Sequence, residues 1–189
     1  MRRWWAVVTV VALVGGGAAQ PSGASPWTAV PGAGTSLPGA GTCPVFPAGS
    51  FWHADVSALP VSPQSATWVA SIGPTGGLKA DFGSGTWNGG PIGIPYTTVA
   101  GTQPRVPVSF GYADESDPGP YPVPANAPIE GGPASTGDRH VLVVDRDGCR
   151  LWELYGAYPA NGGSSWTAGS GATWDLGSNA MRPLGWTSG

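Results

Sequence analysis

Charge is what this chain lacks most. Only 10 % of its 189 residues are charged, one lysine (Lys79) stands among them, and the formal net charge is −3. Without a basic footprint, nucleic acid is excluded as a partner. Membrane-length apolar runs are missing as well. Residues 6–14 form an apolar run of nine, far short of the roughly 20 residues a spanning helix needs, so no membrane span is expected in the mature chain. There is no G-x-S-x-G elbow, Walker loop or dinucleotide fingerprint, so no cofactor is expected. The two histidines, His53 and His140, are far apart and form no ligand-spaced pair. Asp114-Glu115-Ser116-Asp117 lacks the full calcium-loop pattern, and no metal is expected. Cysteine is scarce too, with only Cys43 and Cys149.

Glycine (32), proline (21) and tryptophan (ten) are abundant. That share of Gly and Pro alone would suggest disorder. The 41 % hydrophobic content and the tryptophans argue instead for a loop-rich β domain. Residues 1–24 read as a secretory signal peptide, with Arg2-Arg3 before the short apolar run and small-residue cleavage sites behind it. Residues 25–42 read as a flexible Pro/Gly-rich linker, and residues 43–189 as a single β-rich domain. In an exported chain two cysteines invite a disulfide. A Cys43–Cys149 bridge would close a loop of about a hundred residues, for which chain entropy gives roughly 4–5 kcal/mol at the upper end.

The chain is organised around residues 136–155, TGDRHVLVVDRDGCRLWELY. Val141 to Val144 is a β-branched-rich run, Asp147-Gly148 suits a two-residue type I′ turn, and Arg150 to Tyr155 reads as the return strand. That register pairs Asp145 with Arg150 and Val141 with Leu154, and sets His140 opposite Tyr155. It puts Val141, Val143, Trp152 and Leu154 on a core face closed by an Asp145–Arg150 pair. His140, Leu142, Val144, Leu151, Glu153 and Tyr155 share the other face, with the polar end away from the turn. Elsewhere, Ser62 as cap, Pro63 and Gly73 predict one helix over residues 62–73, docked through Trp68, Val69 and Ile72. Residues 94–100 and 105–112 read as strands joined by a turn at 101–104. The proline-rich residues 113–133 should run extended over the surface, and residues 164–176 should supply one or two strands. The expected fold is mainly β: an antiparallel β-sandwich or partly closed barrel with one short α-helix.

The candidate catalytic residues are His140, Glu153, Glu130 and Asp138, with Tyr155 and Arg139 as binding residues. A histidine beside a carboxylate works as an acid or base near neutral pH, and two carboxylates across a cleft can cleave a glycosidic bond. The competing reading is a strand-end histidine satisfied by hydrogen bonds. Cys149 as a nucleophile is disfavoured, because the register puts it at the far end of the hairpin from His140. Asp147-Gly148-Cys149-Arg150 also lacks the histidine that an L,D-transpeptidase motif needs. Ten Trp and five Tyr in a weakly charged chain suit stacking on sugar rings, though most tryptophans should be core anchors.

Leu59-Pro60-Val61, Asp81-Phe82-Gly83, Gly93-Ile94-Pro95-Tyr96, Ile129-Glu130-Gly131-Gly132, Gly137-Asp138-Arg139-His140, Gly169-Ser170-Gly171-Ala172 and residues 182–188 (RPLGWTS) together carry a resemblance. Over residues 46–188 the chain resembles a family of secreted actinobacterial proteins of unassigned function. The resemblance implies a longer relative with a further histidine-bearing strand, so this chain looks C-terminally shortened. Two functions from different classes follow as expectations. One is a secreted cell-wall or polysaccharide-active enzyme with a His/carboxylate site. The other is a non-catalytic glycan-binding or surface domain. In both, the expected partner is a polysaccharide or cell-wall glycan.

Overall fold

The computed structural model describes residues 36–73, 75–77, 86–87, 90–91 and 93–186. The signal-peptide region, most of the linker, and Asp81-Phe82-Gly83 lie outside the described residues. Among the described residues one short α-helix, α1 (Ser65–Ile72), precedes nine strands: β1 (Thr86–Trp87), β2 (Gly90–Pro91), β3 (Tyr96–Val99), β4 (Val108–Phe110), β5 (Val141–Asp145), β6 (Arg150–Tyr155), β7 (Tyr158–Ala160), β8 (Ser165–Ala168) and β9 (Ser170–Asp175). They form a two-stranded ribbon β1-β2, a four-stranded sheet in the order β3-β5-β6-β9, and a three-stranded sheet in the order β4-β8-β7. The fold is therefore mainly β and sandwich-like, with no closed barrel among the described residues. The sheets are mixed: β3 pairs parallel to β5 and β4 parallel to β8, while the other pairs are antiparallel.

The β5–β6 pairing has the register read from sequence, Asp145 opposite Arg150 through Val141 opposite Leu154. The turn itself differs. It is four residues long, 146–149, and the positive φ falls on Cys149 (49°). Asp145 organises it, because its Oδ1 accepts the N–H groups of Asp147 and Gly148, each at 3.0 Å. Two added loop residues, one on each side, leave the strand register unchanged. The same bonds engage the Asp145 carboxylate, so the expected Asp145–Arg150 ion pair gives way to an Asx-type turn, with Arg150 exposed.

Alternation along these strands builds two layers of core. Val99, Val141, Val143, Trp152 and Leu154 face Val108, Phe110, Trp166 and Ala168 of the second sheet. Tyr121, Val123, Ala127 and Ile129 fill the space between them. This corrects the surface course expected for residues 113–133. Prolines alternate there with apolar residues, so the chain stays extended while Tyr121 and Val123 point inward. Tyr121 has no exposed surface, donates from Oη to the Asp117 carbonyl at 2.8 Å, and meets the Trp152 ring edge-on at 4.9 Å.

Among the described residues, the apolar cover on the opposite face of the four-stranded sheet lies at its turn end. Ala40, Cys43, Val144 and Leu176 form a second cluster there, with Leu37, Phe46 and Leu151 against it. The Cys43–Cys149 disulfide is present, with Cα atoms 5.1 Å apart. Ordered packing thus begins by Leu37 and Ala40, inside the stretch read as linker. The strands at 96–99 and 108–110 do not pair with each other: residues 101–104 carry the chain from one sheet to the other. Helix α1 starts at Ser65, after Ser62 caps a preceding turn through Gln64 N–H and the Ser65 N–H. Its docking face is not used, for Trp68, Val69 and Ile72 are all more than half exposed.

Two outcomes test this packing. A Cβ at residue 171 would sit 2.6 Å from both Phe110 Cε1 and Tyr121 Oη. Gly171→Ala should therefore cost about 1–3 kcal/mol by overpacking, read as a lower midpoint in denaturant unfolding. The Cys43→Ala/Cys149→Ala pair should cost up to about 4–5 kcal/mol. A loss under about 1 kcal/mol would contradict the role given to the bridge.

Candidate functional site

The polar end of the hairpin is where the site is built. Ile129, in the core, and the tight turn closed by Gly132 N–H on the Ile129 carbonyl (2.8 Å) bring Glu130 alongside the start of β5. Gly131 is required there: its φ is +70° and a Cβ would meet Ser135 Oγ at 2.5 Å. Glu130 N–H donates to the His140 carbonyl at 2.9 Å, and His140 N–H donates back to Glu130 Oε2 at 3.2 Å. This reciprocal pair fixes both backbones, and the side chains meet: His140 Nδ1 lies 2.6 Å from Glu130 Oε2. The bond is charge-assisted and short. A carboxylate only accepts, so the Nδ1–H donates to Glu130, and Nε2 is the ring nitrogen that Glu130 does not engage. Both side chains are partly shielded, His140 at 17 % and Glu130 at 29 % exposure.

Next on the same face comes Tyr155, with its ring centroid 5.6 Å from that of His140. Glu153, diagonal to His140, is half-buried and accepts from Trp174 Nε1 at 3.0 Å. Trp174 was expected only as an anchor. Its approach follows from β9 pairing, which places Leu151 opposite Trp174 and Glu153 opposite Ala172. Burial pushes the Glu153 carboxyl above the ordinary glutamate range, while the Trp174 bond, His140 and Arg182 pull it down. The site therefore pairs an oriented histidine base with a carboxyl that holds its proton longer than usual.

Two predicted residues take other positions. Asp138 is exposed, and only its backbone carbonyl is used, accepting from Gly156 N–H at 2.8 Å. Arg139 is 3 % exposed with φ +56°. Its guanidinium donates to the carbonyls of Ala157 (3.1 Å), Pro133 (3.0 Å) and Ser135 (2.8 Å) and stacks on the Tyr158 ring at 4.1 Å. It is a buried clamp that ties the loop after Glu130 to the β6–β7 corner, and so positions His140. Cys149 is in the disulfide and has no thiol. His53 Nδ1–H donates to the Pro47 carbonyl at 3.1 Å, in a different region of the chain. No group of three or more His, Cys, Asp or Glu side chains suited to a metal occurs among the described residues.

No protein-family model, curated protein or solved structure matches this chain.

Glu153 gives a pH signature. Its folded-state pKa is raised, so its contribution to stability is full below the unfolded pKa and is lost as pH rises through the folded one. Glu153→Gln keeps the acceptor for Trp174 but cannot ionise. The melting temperature of the variant relative to wild type should therefore rise from acid toward neutral pH. A difference that stays flat or falls in thermal melts across that range would contradict the raised carboxyl.

Proposed function

We propose that this protein is a secreted cell-wall or polysaccharide-active enzyme working by general acid–base catalysis. The observation that carries the reading is the Glu130–His140 hydrogen bond, with Glu153 on the same sheet face. In this mechanism Glu130 holds the imidazole in the tautomer with Nδ1 protonated. His140 Nε2 takes a proton from the attacking water. Glu153, whose burial favours its neutral form, delivers a proton to the leaving oxygen. Tyr155, 39 % exposed beside His140, offers a ring face and a hydroxyl to the substrate. The disulfide is compatible with an extracellular site of action, no helix among the described residues is long and apolar enough to cross a membrane, and the resemblance to secreted actinobacterial proteins points the same way.

A second reading, a non-catalytic glycan-binding or surface domain, draws support from Tyr96 and Tyr155. Both are exposed on the same sheet face, and aromatic faces stack on sugars without chemistry. One experiment separates the two. Wild type and His140→Ala are incubated with a panel of cell-wall and storage polysaccharides, with product release and pull-down scored together. Enzyme action predicts product from wild type and a drop of about 10²-fold or more in the variant, with retention on the glycan unchanged. Retention without product in both proteins would favour the binding domain.

A further inference from the structure

A cleft of about 430 Å³ adjoins the acid–base cluster. One wall is Gly93, Ile94 and Pro95, the chain leading into β3; the other is Pro128, Ile129, Gly131 and Gly132, the loop that carries Glu130. Both walls are continuous with the site. Ile129 and Gly131 flank Glu130 in the chain. The parallel β3–β5 register sets Tyr96 beside Leu142, and Ile94 and His140 each stand two residues before that pair in the chain. The cleft therefore shares the Glu130 loop with the acid–base pair.

Its chemistry is narrow. Among the described residues its lining holds no charged side chain and no aromatic ring. Those residues offer an anionic substituent no cation and a sugar ring no stacking platform. What the cleft offers is aliphatic surface from Ile94, Pro95, Pro128 and Ile129 together with bare glycine backbone. Ile94 is 42 % exposed, large apolar surface beside a polar site. The volume falls in the lower part of the range of small-molecule sites, roughly 300–1,000 Å³.

We propose that this cleft is a subsite for an uncharged aliphatic acyl group, an N- or O-acyl substituent on the glycan presented to His140. The proposal rests on the reading of the Glu130–His140 centre as a glycan-active site, and it narrows the substrate class to acylated glycans. An acyl chain buries its methyl and methylene groups against the isoleucines, while its own carbonyl stays at the glycine-lined rim.

The test uses the full chain and neutral β-1,4-linked oligosaccharides that differ only in the 2-substituent: hydroxyl, N-acetyl or N-propionyl. Binding is followed by calorimetry, and turnover is measured separately. The N-acyl compounds should bind about tenfold or more tightly than the hydroxyl compound. Ile94→Asp should remove that preference and Ile94→Leu should keep it, with thermal melts checking that both fold. His140→Ala should retain the preference. Equal binding of all three oligosaccharides, or an undiminished preference in Ile94→Asp, overturns the subsite. Preference without turnover by wild type leaves the subsite standing and removes the enzyme reading. Turnover lost in His140→Ala with no acyl preference does the reverse.

Discussion

Strands β5 and β6 lie in the middle of their sheet with apolar side chains on both faces, and a hairpin of that kind has to be covered twice. One face is covered by a second sheet, where Val141, Val143, Trp152 and Leu154 meet Trp166 and Tyr121. The other meets no second sheet among the described residues. Val144 and Leu151 are covered by residues 37–46, a short segment with little regular structure of its own. Held by backbone turns alone, such a segment would have few contacts to offset its ordering entropy. The Cys43–Cys149 bridge fixes it where the cover is needed. Leu176 N–H on the Cys149 carbonyl and Gly101 N–H on Asp147 Oδ2, at 2.9 and 2.8 Å, tie two further loops to the same turn.

That one-sided covering leaves the far end of the face, with the proposed site, uncapped by the segment at 37–46. The apolar middle, Val144 and Leu151, is sealed by the disulfide-linked segment, whereas His140, Glu153 and Tyr155 extend beyond it. The chain also turns sharply there. It leaves the four-stranded sheet at Gly156 (φ +60°) and returns at Gly169, whose N–H donates to the Tyr155 carbonyl at 2.7 Å. Arg139 braces this corner with three carbonyl bonds. A buried arginine satisfied by carbonyls is rigid, and its neighbour His140 inherits that rigidity. Preorganisation of this kind is what a hydrogen-bonded His–carboxylate pair needs to keep one tautomer.

The parts of this arrangement that are local in sequence were legible; the parts set by distant chain were not. Alternation from Val141 to Leu154 named the core face, because period-two burial depends only on the strand itself. The turn chemistry was misassigned. Asp147-Gly148 resembles a two-residue turn, but the carboxylate of Asp145 captured the N–H groups and moved the positive φ to Cys149. Arg139 reads from sequence as a binding residue beside His140; only the fold reveals three carbonyls converging on it. Trp174 near Glu153 depends on β9 joining β6, and the burial of Tyr121 and Val123 depends on a gap between sheets. Neither follows from the residues around them. The exposed face of α1 is a further mismatch, since its spacing suggests docking that the described residues do not provide.

The scarcity of charge bears on the site as well as on the surface. With one charged residue in ten, charged groups meet at or beside this sheet's open end: Glu130 is hydrogen-bonded to His140, and Arg182 Nε lies 3.4 Å from Asp117 Oδ2. Elsewhere carboxylates mostly cap turns, as Asp145, Asp55 and Asp175 do by accepting backbone N–H groups. A fold that gains so little from ion pairs has no stability reason to half-bury a glutamate. Leaving Glu153 under Trp174 costs desolvation that an apolar residue at the same place would avoid. Strand position explains why residue 153 faces this way, and packing explains why it is shielded, but neither calls for a carboxyl. Groups whose burial shifts their protonation without structural need concentrate at functional sites. Glu153 stands in that position beside a histidine that the fold has oriented, and this coincidence supports the proposed acid–base reading.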